Sequence, residues 1–578
     1  MRRRAERARW AIVLIVATAF VLRVFGLQYG LPAVYNPDEV AIMARALAFA
    51  KGTLNPGNFL YPTLYFYVLF GWVGSYLAVV WLTGGVSSIA ALQELYFTNP
   101  TGIYTAGRLL TALCGAATTI AVYHLGRRMF DRYVGIAAAL FLAVAPLAVR
   151  DSHYVKHDVP VTLAIVVASI AIARIWPCTP EPGRRRNEVV LGAAACGIAF
   201  STHYYSVFLA LPLTWAIVQR WRAAGWRVVA RHVTTAAVVS AVVFFALSPY
   251  ILVDPIIAWR DITANRQIVV DRAVQGGAFG PVTRYVDILW NDSMGRIVVG
   301  LGMAGAACMS VVAPSRALLL LSFPLPFFLF IINTAPASRY LNPVLPFIAV
   351  FAALMIGYVA AWFRAPRSAA WIVALAAAAP PLLQSIHADT FLRVDDTRTV
   401  AERFVETTIP SGASILIQPY SVPLTPSRES LQEALAANLG SVSAASTKFQ
   451  IQLRLEPYPT PAYRLLWLGR GGLDQDKIYV DPATLAGSGA AAELKRLGVT
   501  YVILRRYNNL DPELASFVAA LTKSGRLIAA FSPYRPDISE AARARTEPFL
   551  HNTDTRIDDA LERPGPPLEI WQLNGPDS

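Results

Sequence analysis

Apolar runs separated by short polar loops dominate residues 10–386. The first run, 10–27, follows Arg2, Arg3, Arg4, Arg7 and Arg9. Next come a stretch at 38–50 with helical spacing of apolar residues, a Gly/Pro/Asn turn at 52–58 and a strongly apolar segment at 60–83. Further runs occupy 103–125, 133–149, 159–176, 189–201, 205–218, 228–253, 297–313, 317–332, 340–363 and 369–386. Crossing about 30 Å of hydrocarbon takes roughly 20 helical residues. The runs 189–201 and 205–218, on either side of His203, are short for that and read as a tight pair or as one long helix. From about Asp395 the pattern changes. Period-2 runs at 414–418, 500–504, 527–531 and 568–573 alternate with helical patterns at 431–439, 491–497 and 512–524. That alternation predicts a small α/β domain. The small-residue stretches 440–447 and 486–490 read as loops.

Composition agrees with a membrane protein. Of 578 residues, 55% are hydrophobic and 15% charged, and the mean hydropathy is +0.45. These values exclude an ordinary soluble protein and support a polytopic helical one. The net charge of +14 belongs in loops on one side of a membrane, so it does not call for nucleic acid as a partner. Cys114, Cys178, Cys196 and Cys308 lack CxxC or Cys/His spacing, which supports neither a zinc site nor a disulfide framework. The basic N-terminus and its long apolar run, with no Ala-x-Ala site, read as an uncleaved anchor.

Arginine placement sets the expected topology. Arg127, Arg128 and Arg132 form one loop cluster, Arg184 to Arg186 a second, and Arg220, Arg222, Arg227 and Arg231 a third. Arg316 marks a fourth, and Arg364 with Arg367 a fifth. All share the cytoplasmic side only if 60–83 does not fully cross. The expectation is eleven crossings of an inner or plasma membrane, with outer-face helices and a cytoplasmic N-terminus. The division is a transmembrane domain, 1–390, and a soluble extracytoplasmic α/β domain, 391–578.

On that topology Tyr35-Asn36-Pro37-Asp38-Glu39 lies just outside the first span. Ionisable residues at a membrane boundary are costly and mark functional sites by default. The structural alternative is that Asp38 caps a helix and Glu39 faces its N-terminal dipole. The outer loops also carry Arg150 to Asp158, His203-Tyr204-Tyr205, Ser338-Arg339-Tyr340, and a long loop at 254–295 with Asp254, Arg260, Arg266, Arg272 and Arg284. Asp38, Asp158, His203 and Arg339 are thereby expected to converge on one face.

Five stretches together carry a resemblance: Asn36-Pro37-Asp38-Glu39, Tyr61-Pro62-Thr63-Leu64-Tyr65, Gly126-Arg127-Arg128-Met129-Phe130, His153 to Asp158, and Arg339-Tyr340-Leu341-Asn342-Pro343-Val344-Leu345-Pro346-Phe347. In order and spacing over roughly 10–363 they resemble the GT-C fold lipid-linked sugar transferases. The similarity is to glycosyltransferase family 39, which includes protein O-mannosyltransferases and the lipid A aminoarabinose transferase. The resemblance implies a polyprenyl-phosphate sugar donor, a hydroxyl acceptor on glycan, lipid or protein, and a single inverting displacement. The family's base is an outer-face carboxylate after the first span, and Asp38 matches it. A hydroxyl is a poor nucleophile and needs such a base. Asp158 matches a second family acid, which binds a divalent cation with Asp38 or orients the sugar; its structural alternative is a helix cap ahead of Pro160.

The leaving phosphate needs cationic or hydrogen-bonding partners. Arg339 is the first candidate, with Lys156, His203 and Tyr340 behind it. Glu39, Tyr61, His153 and Tyr204 complete the expected substrate-binding set. Tyr61, Tyr65 and Tyr67 fit sugar stacking and an interfacial aromatic belt equally well. His153 and His157 read as interface hydrogen bonders more readily than as metal ligands. Arg108 faces a cavity or snorkels, and Arg23 is expected to snorkel. Phe59, Leu60 and Tyr61 depart from the aminoarabinose transferases, where charged residues there contribute to a metal site; the metal requirement therefore stays open. The rival readings are a transporter or flippase of lipid-linked sugars, which calls for inverted repeats and broken helices near the midplane, and a scaffold for the C-terminal domain. Convergence of Asp38, Asp158 and Arg339 separates an enzyme from a scaffold.

Overall fold

The computed structural model describes residues 2–176, 185–274, 280–472, 474–486, 489–507, 512–551 and 557–574. Cys178, Arg184 and part of the 486–490 loop lie outside these, as do the side chains of Arg2, Arg3, Arg4, Arg7, Arg185, Arg186, Arg266 and Arg272. The chain forms two compact units. The first comprises Met1–Leu27, Pro37–Tyr76 and Tyr104–Thr390; the second comprises Gln28–Asn36, Leu77–Ile103 and Phe391–Ser578.

The first unit is helical. Among the described residues, six helices in the chain are long and apolar enough to cross a membrane, or up to eight if each of two bent pairs is one span. Arg2–Val24 is not among the six, because Arg7, Arg9 and Arg23 interrupt its apolar stretch. Several expected spans are broken where proline removes a backbone donor. The 133–149 run divides into Arg132–Ala143 and Pro146–Asp151. The 228–253 run divides into Trp226–Leu247 and Tyr250–Val253, around Pro249. Around His203 a tight pair forms: Arg185–Thr202 ends, His203 is extended, and a 3-10 turn at Tyr204–Leu209 leads into Ala210–Trp221. The stretch 254–295, expected as a loop, is helical over Pro255–Val274 and Gly280–Ile288. Its charged residues hide the apolar pattern that marks the other helices.

Small residues let these helices approach closely. A Cβ built on Gly126 would lie 2.9 Å from Cα of Gly135, and one on Gly135 would lie 2.6 Å from the Tyr123 carbonyl. The helix Arg296–Val312 lies similarly against Leu345–Trp362, with Gly302 on Ile348 and Gly305 on the Phe351 carbonyl. Arg23 does not snorkel. It is buried, and its guanidinium donates to Ala143 O at 3.0 Å and Leu142 O at 3.1 Å. These are terminal carbonyls of Arg132–Ala143, and Pro146 has no amide to give Leu142 O the helical bond it would otherwise accept. A cation is favourable at a helix C-terminus, and here it is more favourable than reaching water.

The second unit carries a six-stranded sheet of β1 (Ser414–Ile417), β2 (Arg464–Leu468), β3 (Tyr479–Val480), β4 (Tyr501–Arg505), β5 (Gly525–Phe531) and β6 (Leu568–Leu573). The order is β3-β2-β1-β4-β6-β5. β1 to β4 pair in parallel, while β6 runs antiparallel to both β4 and β5. Helices cover both faces. Leu416, Leu466, Val502 and Trp571 pack with Phe517 and Leu521 on one side. Ile415, Leu465, Ile503 and Ile570 pack with Ala401 and Val405 on the other. A strand buried on both faces shows no alternation, which is why Arg464–Leu468 escapes a period-2 search.

Overpacking a tight interface costs about 1–3 kcal/mol. Gly305→Val should therefore lower the thermal midpoint of the purified protein clearly. Gly300→Val should leave it near the parent value, since its nearest neighbour, Trp290, lies at an ordinary 3.6 Å.

Candidate active site

The helix Pro37–Leu47 begins with Pro37 at its first position and Asp38 and Glu39 in its first turn, where fixed φ and negative charge are both favoured. Adjacent residues on a helix face about 100° apart, so the two carboxylates separate. Glu39 turns inward and is fully buried. Its Oε1 accepts from Arg108 Nε and from the Val155 amide, each at 2.9 Å, and its Oε2 accepts from Arg108 Nη2 at 2.8 Å. Arg108 Nη1 also donates to Leu27 O at 2.8 Å. This bidentate pair joins Pro37–Leu47, Thr101–Met129 and the loop leading to Asp158.

Asp38 remains outward, with 43% of its side chain exposed. Its Oδ2 lies 3.2 Å from Lys156 Nζ and 3.5 Å from Arg339 Nη1. Arg339 Nε stands 3.9 Å from Oδ2 of Asp158, which is buried at the start of Asp158–Ile175. Arg339 thus bridges the two carboxylates. Burial pushes the Asp38 carboxyl upward, but Lys156 and Arg339 outweigh it and hold the group below its ordinary value.

The loop carrying Arg339 is held from the other side. Arg150 Nη2 donates to Ser338 Oγ at 2.7 Å. Asn342 Nδ2 donates to Asp151 Oδ2 at 2.6 Å and to the Arg339 carbonyl at 3.0 Å. The arginine head also packs on its neighbour, 5.1 Å from the Tyr340 ring centroid.

Aromatic rings form a wall. Tyr61 stacks on His157 at 4.3 Å and meets the His203 edge at 5.2 Å. His203 in turn stacks on Tyr205 at 3.8 Å. Tyr61 lies within electrostatic reach of Tyr340, Arg339, Asp158 and Asp38. Burial, assisted by Arg339, pushes the His203 imidazole down to about 3, so this residue is neutral at physiological pH. Tyr204 donates to Phe59 O at 3.0 Å and fixes the segment leading to Tyr61. His153 is buried elsewhere, its ring nitrogens on the carbonyls of Val149 at 3.0 Å and Phe25 at 2.8 Å.

The donor set does not fit a metal cage. Asp38 and Asp158 are each beside the Arg339 cation. Among the described residues, no three His, Cys, Asp or Glu side chains come together. The clamp of Arg150, Asp151 and Asn342 on the Arg339 loop was not singled out by sequence reasoning. The adjoining Arg150-Asp151 pair was its available signal.

Residues 101–252 match the family model described as dolichyl-phosphate-mannose-protein mannosyltransferase. The structure of ArnT from Cupriavidus metallidurans in the apo state is similar with a TM-score of 0.50 at 15% identity, over 90% of this chain and 96% of that one. The chain has a GT-C fold. Family match and GT-C fold together indicate a glycosyltransferase. The same ArnT bound to undecaprenyl phosphate gives a TM-score of 0.49 at 15% identity, over 90% and 96% of the two chains. The apo oligosaccharyltransferase of Archaeoglobus fulgidus gives 0.48 at 12% identity, over 98% and 88%. A comparison with curated proteins gave no significant match.

Removing one partner of a buried ion pair costs about 3–5 kcal/mol, because it strands the other charge. Glu39→Gln should therefore destabilise strongly, and Arg108→Gln added to it should recover part of the loss. A double-mutant cycle on thermal midpoints checks this; strictly additive losses would show that the two residues do not act together.

Proposed function

We propose that this GT-C protein transfers a sugar from a polyprenyl phosphate to a hydroxyl acceptor on the extracytoplasmic face, with Asp38 as the base. The transmembrane part, 1–390, carries the transfer site, and 391–578 is the extracytoplasmic domain. The observation that carries this reading is the half-exposed Asp38 carboxylate flanked by Lys156 and Arg339. The family description supplies the donor class, a lipid-linked phosphosugar.

The geometry supports a defined sequence of events. An anionic donor phosphate competes with Asp38 for Lys156 and Arg339 and is held by charge-assisted hydrogen bonds. Drawing those cations away raises the proton affinity of Asp38, so the base becomes competent as the donor binds. The acceptor hydroxyl loses its proton to Asp38, and its oxygen bonds to the anomeric carbon. The carbon–oxygen bond to phosphate breaks, and the electron pair leaves with the lipid phosphate. Arg339 and Lys156 stabilise that charge. One displacement inverts the anomeric centre and needs no second nucleophile. Asp158 keeps Arg339 in place, and the Tyr61 ring offers a face for the sugar.

Loss of a general base typically costs 10²–10⁴-fold in rate. Asp38→Asn should reduce transfer of labelled mannose from a polyprenyl-phosphate mannose by about that factor and leave lipid-phosphate binding intact. Arg339→Ala should weaken binding and slow transfer together. Near-normal transfer by Asp38→Asn would exclude it as the base. Because Lys156 and Arg339 hold Asp38 below its ordinary value in the free protein, its own carboxyl should titrate below about 4, the usual carboxylate range; the carbon chemical shift of labelled Asp38 checks this, and a midpoint above that range would contradict the pairing.

The topology is tested separately. A cysteine replacing Gly84 should react with a membrane-impermeant thiol reagent from the extracytoplasmic side. Labelling only from the cytoplasm would invert the arrangement.

A further inference from the structure

The helix that carries the proposed base holds a second charged residue on the same side. Asp38 and Arg45 are seven residues apart in Pro37–Leu47. At 3.6 residues per turn their side chains leave the axis only about 20° apart, separated by about 10 Å along it. Ala41, which lies between them on that side, is small and exposed, whereas Ile42, Met43 and Ala46 are buried. The strip of helix from Asp38 to Arg45 therefore carries no bulky side chain.

Arg45 is only partly exposed, yet among the described residues it forms no hydrogen bond or ion pair. Tyr61 and Asp261 lie within electrostatic reach of it. Asp261 is committed elsewhere: its Oδ1 accepts from Arg260 Nη2 at 2.8 Å and its Oδ2 from the Phe59 amide at 3.0 Å. Burial pushes the Arg45 guanidinium below its ordinary value, and Tyr61 and Asp261 offset only part of that. Taking a cation partly out of water without a partner is unfavourable. The last turn of a helix does favour a cation, but that leaves the guanidinium donors without an acceptor. Tyr61 is the neighbour shared with the transfer site, since Arg339, Asp158 and Asp38 also act on it.

We propose that Arg45 is a subsite for an anionic group of the acceptor, so that the protein glycosylates an acidic sugar. The attacking hydroxyl lies at Asp38, and a carboxylate or phosphate on the same acceptor is held at Arg45. This placement of the acceptor rests on Asp38 being the base. The donor phosphate is matched by Lys156 and Arg339, both beside Asp38, which leaves Arg45 for a second anion. The stretch of about 10 Å between the two ends has room for a sugar unit bearing the charge, with Ala41 keeping the strip clear and the Tyr61 ring alongside. A guanidinium holds a carboxylate or phosphate through paired, charge-assisted hydrogen bonds.

The test uses full-length protein in nanodiscs of zwitterionic lipid and three matched probes: methyl glucoside, methyl glucuronide and methyl glucoside 6-phosphate. Binding is measured by calorimetric titration. At least one acidic probe should bind about 10- to 100-fold tighter than methyl glucoside, the worth of a hydrogen bond to a charged group. The tighter of the two identifies the anion as carboxylate or phosphate. Arg45→Gln should erase this preference and leave the affinities for methyl glucoside and undecaprenyl phosphate unchanged. Arg45→Lys keeps the charge and should retain part of the preference. No gain of either acidic probe over methyl glucoside would overturn the proposal, as would a preference that survives Arg45→Gln. Equal probe affinities together with an Arg45-dependent enrichment of phosphatidylglycerol around the protein would assign Arg45 to a lipid headgroup, and the acceptor subsite would fall. Asp38→Asn, run alongside with polyprenyl-phosphate mannose, keeps the two readings apart. Normal transfer by that variant removes the base, while a probe preference lost in Arg45→Gln still upholds the anion subsite. A missing preference beside an inactive Asp38→Asn removes the subsite alone.

Discussion

The buried pair of Glu39 and Arg108 is the constraint on which the rest of the site depends. Two adjacent acids at a membrane boundary would repel each other and compete for the same cations. Sequestering Glu39 against Arg108, with the Val155 amide as third partner, removes one charge from that competition. It also fixes the rotation of the helix Pro37–Leu47, because a helix with one side chain locked inward has little freedom about its axis. Asp38 then projects outward by geometry. The Val155 bond carries the constraint to Lys156 and Asp158, one and three residues on. A single ion pair therefore sets the direction of Asp38, Lys156 and Asp158.

Around Asp38 the charges nearly balance: Asp38 and Asp158 face Lys156 and Arg339. Such a cluster tolerates partial burial because each charge has a partner. An incoming phosphate would tip the balance toward negative charge, and the partner that yields is the one most accessible to water. Asp158 is nearly buried and cannot move into solvent cheaply. Asp38, with 43% of its side chain exposed, can. In the proposed reaction, donor binding and activation of Asp38 are thus one electrostatic event.

Much of this was legible in the sequence, for identifiable reasons. Membrane helices announce themselves through long apolar runs. The α/β character of the C-terminal part followed from strands such as Gly525–Phe531 and Leu568–Leu573, which lie toward one edge of the sheet. The doubly buried strand Arg464–Leu468 was not legible, since burial on both faces erases alternation. The helix Pro255–Val274 was masked by its charge. Within the site, residue type located Asp38, Asp158 and Arg339, but could not say which neighbouring acid faces inward or that Arg23 would cap a helix end. Both depend on which backbone groups a proline break leaves unpaired and on which cation a distant helix brings near, and these are tertiary facts.

Exposure then sorts the candidates by role. Glu39 and His153 are fully buried, and their polar atoms bond to Arg108 and to backbone, respectively. Neither can meet a substrate without breaking those bonds, so each acts by holding structure. Arg339 has 22% of its side chain exposed and Asp38 has 43%, which leaves both able to exchange partners. The distinction is energetic: a group whose bonds are all internal gains nothing from a ligand, whereas a solvent-facing ion pair, worth little on its own, is readily exchanged for a phosphate or a hydroxyl. Weak pairing at the surface is therefore what leaves Asp38 and Arg339 free to exchange partners, and strong pairing beneath it keeps them in place.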